Sequence, residues 1–140
     1  MKLLRILLAP LLALPLTAAE PPAPEALASQ ARGLAGNLML SLQGELFAAM
    51  KSGGPVKALE VCRSRAPEIA AATAAGTPWR IARTSRKVRN RANAPDEWEA
   101  RKLEEFATRL SAGEEIGALE AWEVVEVEGR PAFRYMKAIG

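Results

Sequence analysis

The sequence predicts an α+β domain, and three observations carry that expectation. Leucines recur at every fourth position from Leu34 to Leu46, a second helix-period stripe runs from Leu103 to Leu110, and two β-rich runs flank Glu128-Gly129 near the C-terminus. Helices therefore come first, and an antiparallel sheet ends the chain. No internal repeat is present.

At the start, Lys2 and Arg5 precede an apolar run from Ile6 to Leu16, and Thr17, Ala18 and Ala19 follow it before Glu20. That is the order of a secretory signal peptide: a positive region, a short apolar region and a small-residue cleavage site. The run is shorter than the roughly 20 apolar residues of a membrane-spanning helix, and Pro10 and Pro15 interrupt it. Residues 1–19 are therefore expected to be a cleaved signal peptide, which leaves a periplasmic or secreted protein with no stable membrane span. Residues 20–24 (EPPAP) read as a stiff linker, and residues 25–140 as one domain.

Leu34, Leu38, Leu42, Leu46 and Met50, with Met39, Leu40 and Phe47 beside them, predict one long amphipathic helix over about 24–51, ended by Ser52-Gly53-Gly54. Gly33, Gly36 and Gly44 each weaken that helix by about 1 kcal/mol relative to Ala, so it needs a packing partner. A homodimer through this helix is one way to supply it. Pro55 suits a first helical position, and Val56, Leu59, Val61 and Cys62 give a second helix an apolar face. Pro67 is expected to break or kink it, with a short Ala-rich helix from Glu68 to Ala75 closed by Gly76. From Thr77 to Ser85 the period changes, Trp79 and Ile81 alternating with Arg80 and Ala82, which predicts a strand. Residues 86–94 read as a polar loop, and Pro95 opens a helix that Gly113 ends, with Asp96 and Glu97 at its positive end. WEVVEV and AFRYMKAI then form a hairpin around Glu128-Gly129.

Composition narrows the chemistry. The chain holds 19 basic and 16 acidic residues, and without Lys2 and Arg5 the balance is 17 to 16, so no nucleic-acid partner is expected from charge. It has no His and one Cys, Cys62, which excludes an internal disulfide, a Cys/His zinc site, a Ser-His-Asp or Cys-His catalytic pair, and His-ligated haem within these residues. The acidic pairs Glu104/Glu105 and Glu114/Glu115 look like solvated surface rather than catalytic carboxylates, and no enzyme is expected. Cys62, on the apolar side of its helix, reads as a small hydrophobe.

Charge is segregated along the middle of the chain. Ile69 to Pro95 holds six basic residues and no acidic one, whereas Asp96 to Glu128 holds eleven acidic and three basic residues. Guanidinium, ammonium and amide groups just ahead of a helix N-terminus are what a carboxylate or phosphate requires, so Arg83, Ser85, Lys87, Arg89, Asn90 and Asn93 are candidate residues for a small, anionic ligand. The competing reading pairs the same arginines with the acidic helix that follows, or leaves them solvated. Asn93, close to Pro95, also suits a turn or a helix N-cap.

Three stretches carry a family resemblance: VCRSRAPEIA (Val61 to Ala70), RTSRKVRNRANAP (Arg83 to Pro95) and FRYMKAI (Phe133 to Ile139). In these the chain resembles the exported Tll-like domain family, a domain of unknown function that includes PAS-like c-type haem proteins and sensor input domains. The resemblance runs from about Leu34 to the C-terminus, and Arg83-Thr84-Ser85, Lys87, Arg89-Asn90, Asn93 and Pro95 are its most specific part. It implies a PAS-like antiparallel sheet with flanking helices and a long N-terminal helix, and a sensory or ligand-binding role without catalysis. Many relatives follow the FRYMKAI segment with a C-x-x-C-H haem-attachment motif, which this sequence lacks. Haem c therefore does not carry over to these residues. Two readings follow from the resemblance: a C-terminally truncated haem redox sensor or electron carrier, or a shorter relative that kept the scaffold alone.

Overall fold

The computed structural model describes residues 22–88 and 91–139, and the expected signal peptide and the first two residues of the EPPAP linker lie outside them. The fold is α+β. It consists of a long helix α1 (Pro24–Ala74), a 3-10 turn (Arg91–Asn93), helix α2 (Glu97–Ser111), a second 3-10 turn (Ile116–Ala118), and the strands β1 (Glu120–Val127) and β2 (Arg130–Lys137).

Pro24 opens α1, where its missing N–H costs nothing. Inside α1, Gly54 alone leaves helical geometry, at φ 69 and ψ −164, a backbone region open to glycine and strained by any Cβ. Gly54 folds the helix back on itself. The proof is the ion pair between Arg65 and Glu45 at 3.5 Å, because twenty residues of straight helix would separate them by about 30 Å. Gln30 and Trp79 meet further along the same antiparallel register. The sequence expectation of two helices broken at Ser52-Gly53-Gly54 is thus met, and the second arm is the packing partner that the glycine-weakened first arm needs.

The small residues Ala28, Ala31, Ala49, Ala58, Ala66 and Ala70 are the buried ones along the two arms, with Leu38. Of the predicted leucine stripe, Leu38 is buried and Leu34 and Leu42 are half-buried, whereas Leu46 and Met50 are exposed, as is Phe47. Alanine at the seam lets the backbones approach so closely that larger side chains are displaced to the flanks. Pro67 does not break the helix as expected: α1 keeps helical geometry through it to Ala74. A proline inside a helix loses one hydrogen bond and crowds the preceding turn, and here the packed arm carries that cost.

Residues 77–85 form no strand, contrary to the alternation of Trp79 and Ile81. The alternation itself is real, since Trp79 and Ile81 are half-buried and Arg80 and Ala82 exposed. A ladder, however, needs a strand edge alongside, and Trp79 meets the hairpin through its face: its ring stands edge-on to Phe133, centroids 5.9 Å apart. The segment crosses over the sheet instead of extending it.

Asp96, and not Asn93, caps α2. Its carboxylate accepts from the Glu99 N–H at 2.9 Å while the Glu99 side chain accepts from the Asp96 N–H at 3.0 Å, a reciprocal capping box. At the other end, the Gly113 N–H donates to the Leu110 carbonyl and the Glu114 N–H to the Arg109 carbonyl, a Schellman closure that requires the positive φ of Gly113.

β1 and β2 pair antiparallel around Glu128-Gly129, both at positive φ, as a two-residue turn of the twist-matching kind demands. Strand parity then assigns the faces. Glu120, Phe133 and Tyr135 share the face that meets α1, where Arg32 and Trp79 wait. Glu123 and Arg134 share the other face, where Trp98 of α2 donates to Glu123 and Asp96 pairs with Arg134. The hairpin is therefore held between two helices, with Leu119, wholly buried, at its entry.

Candidate functional site

Two features gather chemistry on the α1 side of the hairpin. The first is a polar clamp. Arg32 on α1 donates from Nε to Glu120 Oε2 at 2.9 Å and from Nη2 to Oε1 at 2.6 Å, and the Tyr135 hydroxyl donates to the same Oε2 at 2.8 Å. The Arg32 hydrogen bonds hold the Glu120 carboxyl at about 2, far below its usual 4.5, against the desolvation that opposes them. Burial, followed by the hydrogen bond to Glu120, pushes the Tyr135 hydroxyl up. Arg32 and Tyr135 both donate to the Glu120 carboxylate, so the clamp fastens α1 to the sheet.

The second feature is an open cleft of about 400 Å³ between the first arm of α1 and the segment that leaves the second arm. One wall is Ser29, Gln30, Gly33, Leu34 and Asn37, and the other is Gly76, Thr77, Pro78 and Trp79. Local chemistry builds the second wall. Gly76, at φ 73, turns the chain out of α1, the Thr77 hydroxyl donates to the Ala74 carbonyl at 2.7 Å, and the Trp79 N–H returns to that hydroxyl at 3.2 Å. The Trp79 indole then leans on Phe133 and donates to Gln30 Oε1 at 3.4 Å across the cleft mouth. Phe133 in turn stacks on Trp122 at 5.7 Å, so the aromatic wall is braced from behind.

No ionisable side chain lines this cleft. It offers the Gln30 amide, and the Ser29 hydroxyl and Asn37 amide, which make no hydrogen bond among the described residues, beside the apolar Leu34, Pro78 and Trp79. Gly33 supplies the room, since a Cβ there would meet nothing within 4 Å. The arrangement suits a small, neutral molecule with one flat apolar side and a few hydrogen-bonding groups.

The basic segment singled out from sequence is arranged differently. Arg83, Ser85, Lys87 and Asn93 are all exposed, and Arg89 and Asn90 lie outside the described residues. Ser85 Oγ donates to the Lys87 carbonyl at 2.9 Å, and Thr84 Oγ1 donates to the Asn93 carbonyl at 3.0 Å, so these contacts shape the loop. Arg86 pairs with Glu104 of α2 at 3.0 Å, which is the pairing with the acidic helix that the charge segregation allowed. Among the four described candidates, the structure brings Ser85 and Lys87 together, and Asn93 is reached by Thr84. Sequence reading missed the cleft because its residues come from two segments some forty positions apart, and each looks like ordinary helix or loop. Trp79 was the available signal: a tryptophan three residues after a helix-ending glycine has little helix left to cover it.

The donor set does not fit covalent haem c, with no imidazole in the chain and one thiol, Cys62, half-buried on the second arm of α1. Among the described residues, no group of three or more Cys, Asp or Glu side chains could hold a metal ion.

Comparison with known proteins gives one family. The family model described as Tll0287-like matches residues 17–140. No curated protein and no solved structure matches the chain.

Proposed function

The chain belongs to the Tll0287-like family, and on that premise we propose that it is an exported sensory or ligand-binding domain without catalytic activity, taking up a small neutral molecule in the cleft beside Trp79. The cleft carries this reading. It combines an aromatic wall braced by Phe133 and Trp122, unspent amide and hydroxyl groups, and a glycine that keeps the space open. The missing imidazole and the lone thiol support a role in binding, since shape and hydrogen bonds are what remain for recognition. The export reading rests on the Lys2 to Ala19 pattern.

Protein recovered from the envelope fraction of a host expressing the full chain is the material to test. In a thermal-shift screen, a true ligand at one hundred times its dissociation constant adds about 2.7 kcal/mol of stability. Gly33→Leu fills the cleft on an exposed helix face and improves helix propensity by up to about 1 kcal/mol. It should fold at least as well as the parent and lose the ligand shift. A screen across neutral and acidic metabolites with no shift, or a shift that Gly33→Leu leaves intact, removes the cleft as the site.

A further inference from the structure

The folded-back end of α1 carries surface that nothing in the fold uses. Val56 is 80% exposed, Phe47 73%, and Leu40 and Leu59 69% each, the four most exposed large apolar side chains among the described residues. All four lie on the two arms around Gly54, and Met50, 45% exposed, sits between Phe47 and the turn. Leu40, about 21 Å from Gly54 along its arm, is an ordinary scattered exposed leucine, whereas Phe47, Met50, Val56 and Leu59 gather at the turn end of an otherwise alanine-seamed hairpin and mark a contact surface.

Charge says what kind of contact. Between Glu45 and Glu60 there is no acidic residue, and the two ionisable side chains are Lys51 and Lys57, both exposed and each within a turn of Gly54. Phe47 and Leu59 are within about 11 Å of the turn along their arms, so apolar and cationic groups occupy the same end. The Arg32–Glu120 clamp that fastens α1 to the sheet lies 22 residues before Gly54, about 33 Å along the helix. Among the described residues, the ion pairs of this end stay inside the helical hairpin, from Arg65 to Glu45 and Glu68. The end therefore stands free of the rest of the domain.

We propose that this apolar, doubly cationic end of α1 docks on an anionic lipid surface, with Phe47, Met50, Val56 and Leu59 entering the headgroup boundary and Lys51 and Lys57 pairing with lipid phosphates. No helix among the described residues is long and apolar enough to cross a membrane, so the contact is superficial. Lysine stems cover apolar surface while their ammonium groups remain at the phosphate level, which suits their place beside Phe47 and Val56. A second copy fits less well, because apposing two such ends sets Lys51 and Lys57 against their own equivalents, with Glu60, one turn from Lys57, as the nearest carboxylate along the chain. The proposal is independent of what the cleft binds, since the cleft lies at the opposite end of the arms.

Flotation with vesicles made of three parts phosphatidylethanolamine to one part phosphatidylglycerol, against vesicles of phosphatidylcholine alone, tests it on the envelope-derived protein. Binding to the anionic vesicles that weakens as salt rises is expected. Lys51→Gln with Lys57→Gln should weaken it about thirtyfold, the effect of two lysines at an anionic surface. Phe47→Ser with Val56→Ser should abolish it without loss of helical circular dichroism, because both side chains are already exposed. Absence of binding to anionic vesicles overturns the proposal, as does binding that either double variant leaves unchanged. A dimer by light scattering that Phe47→Ser with Val56→Ser dissociates would also overturn it, by assigning this end to a second copy of the chain.

Discussion

Trp98→Ala is expected to cost about 3–5 kcal/mol of stability, the largest effect of any single substitution considered for this protein. Trp98 is 5% exposed at the start of α2 and holds the face of the hairpin turned away from α1. Its indole donates to Glu123 Oε2 at 2.7 Å, the Arg134 guanidinium lies over its ring at 4.5 Å, and the Lys102 ammonium approaches at 5.9 Å. Removing the ring opens a cavity and also takes the apolar surface from under two cations. Arg134 further binds Asp96 at 2.7 Å and Glu99 at 3.3 Å, the two members of the α2 capping box, so loosening Arg134 loosens the cap. Against a whole-domain stability of about 5–15 kcal/mol, the loss would unfold a large share of molecules near physiological temperature. Trp98→Phe keeps most of the packing and loses one hydrogen bond to a half-exposed carboxylate, so it should cost only about 1 kcal/mol. Urea unfolding of the pair measures the contrast, and equal costs would mean that the ring volume is not what matters.

Glu120→Gln should cost about 1.5–3 kcal/mol at neutral pH, the range for hydrogen bonds to a charged group. The direction with pH follows from its depressed pKa. A carboxyl that titrates at about 2 when folded and at 4.5 when free contributes its full stabilisation above 4.5 and loses it as pH falls toward 2. The shift alone would correspond to roughly 3 kcal/mol, and solvent screening of a quarter-exposed carboxylate reduces that figure. Asp96 titrates low as well: burial opposes its ionisation and is outweighed by the Arg134 hydrogen bond together with the Glu99 backbone N–H. Glu114 is lowered by its hydrogen bond to Arg109. The parent should therefore lose stability between about pH 4.5 and pH 2, and Glu120→Gln should show a shallower acid limb that still falls. Unfolding free energies at pH 7, 4 and 3 read the difference, and parallel curves for parent and variant would show that the clamp contributes nothing.

Much of the fold is legible in the sequence because its signals are local. Glu128-Gly129 specifies its own turn, Gly113 its own helix closure, and Gly54 the reversal of α1, each through a positive φ. The long-range parts are not legible in that way. Nothing in the leucine spacing says that alanines would form the seam of α1, because helical period reports which residues share a face and not how closely two backbones approach. The alternation at Trp79 and Ile81 identified a half-buried extended segment correctly and misassigned it as a strand, since period two is silent on whether an edge is available. Pro67 misled for the opposite reason, a local penalty outweighed by tertiary packing. The Arg32, Glu120 and Tyr135 clamp joins residues as many as 103 positions apart, and single charges of that kind look like any others on a surface. The basic loop, by contrast, was conspicuous in sequence, and in the fold its exposed contacts shape the loop and reach α2.

The account turns on a single location, the space between Gly33 and Trp79. A two-dimensional proton–nitrogen spectrum of the protein resolves its three indole N–H groups, and Trp79→Phe assigns the one at the cleft. Titration with whichever compound raises the melting temperature should move the Trp79 indole resonance saturably and leave those of Trp98 and Trp122 in place. Movement confined to the amides between Arg83 and Asn93, with the Trp79 indole unmoved, would contradict it and return the site to the basic loop.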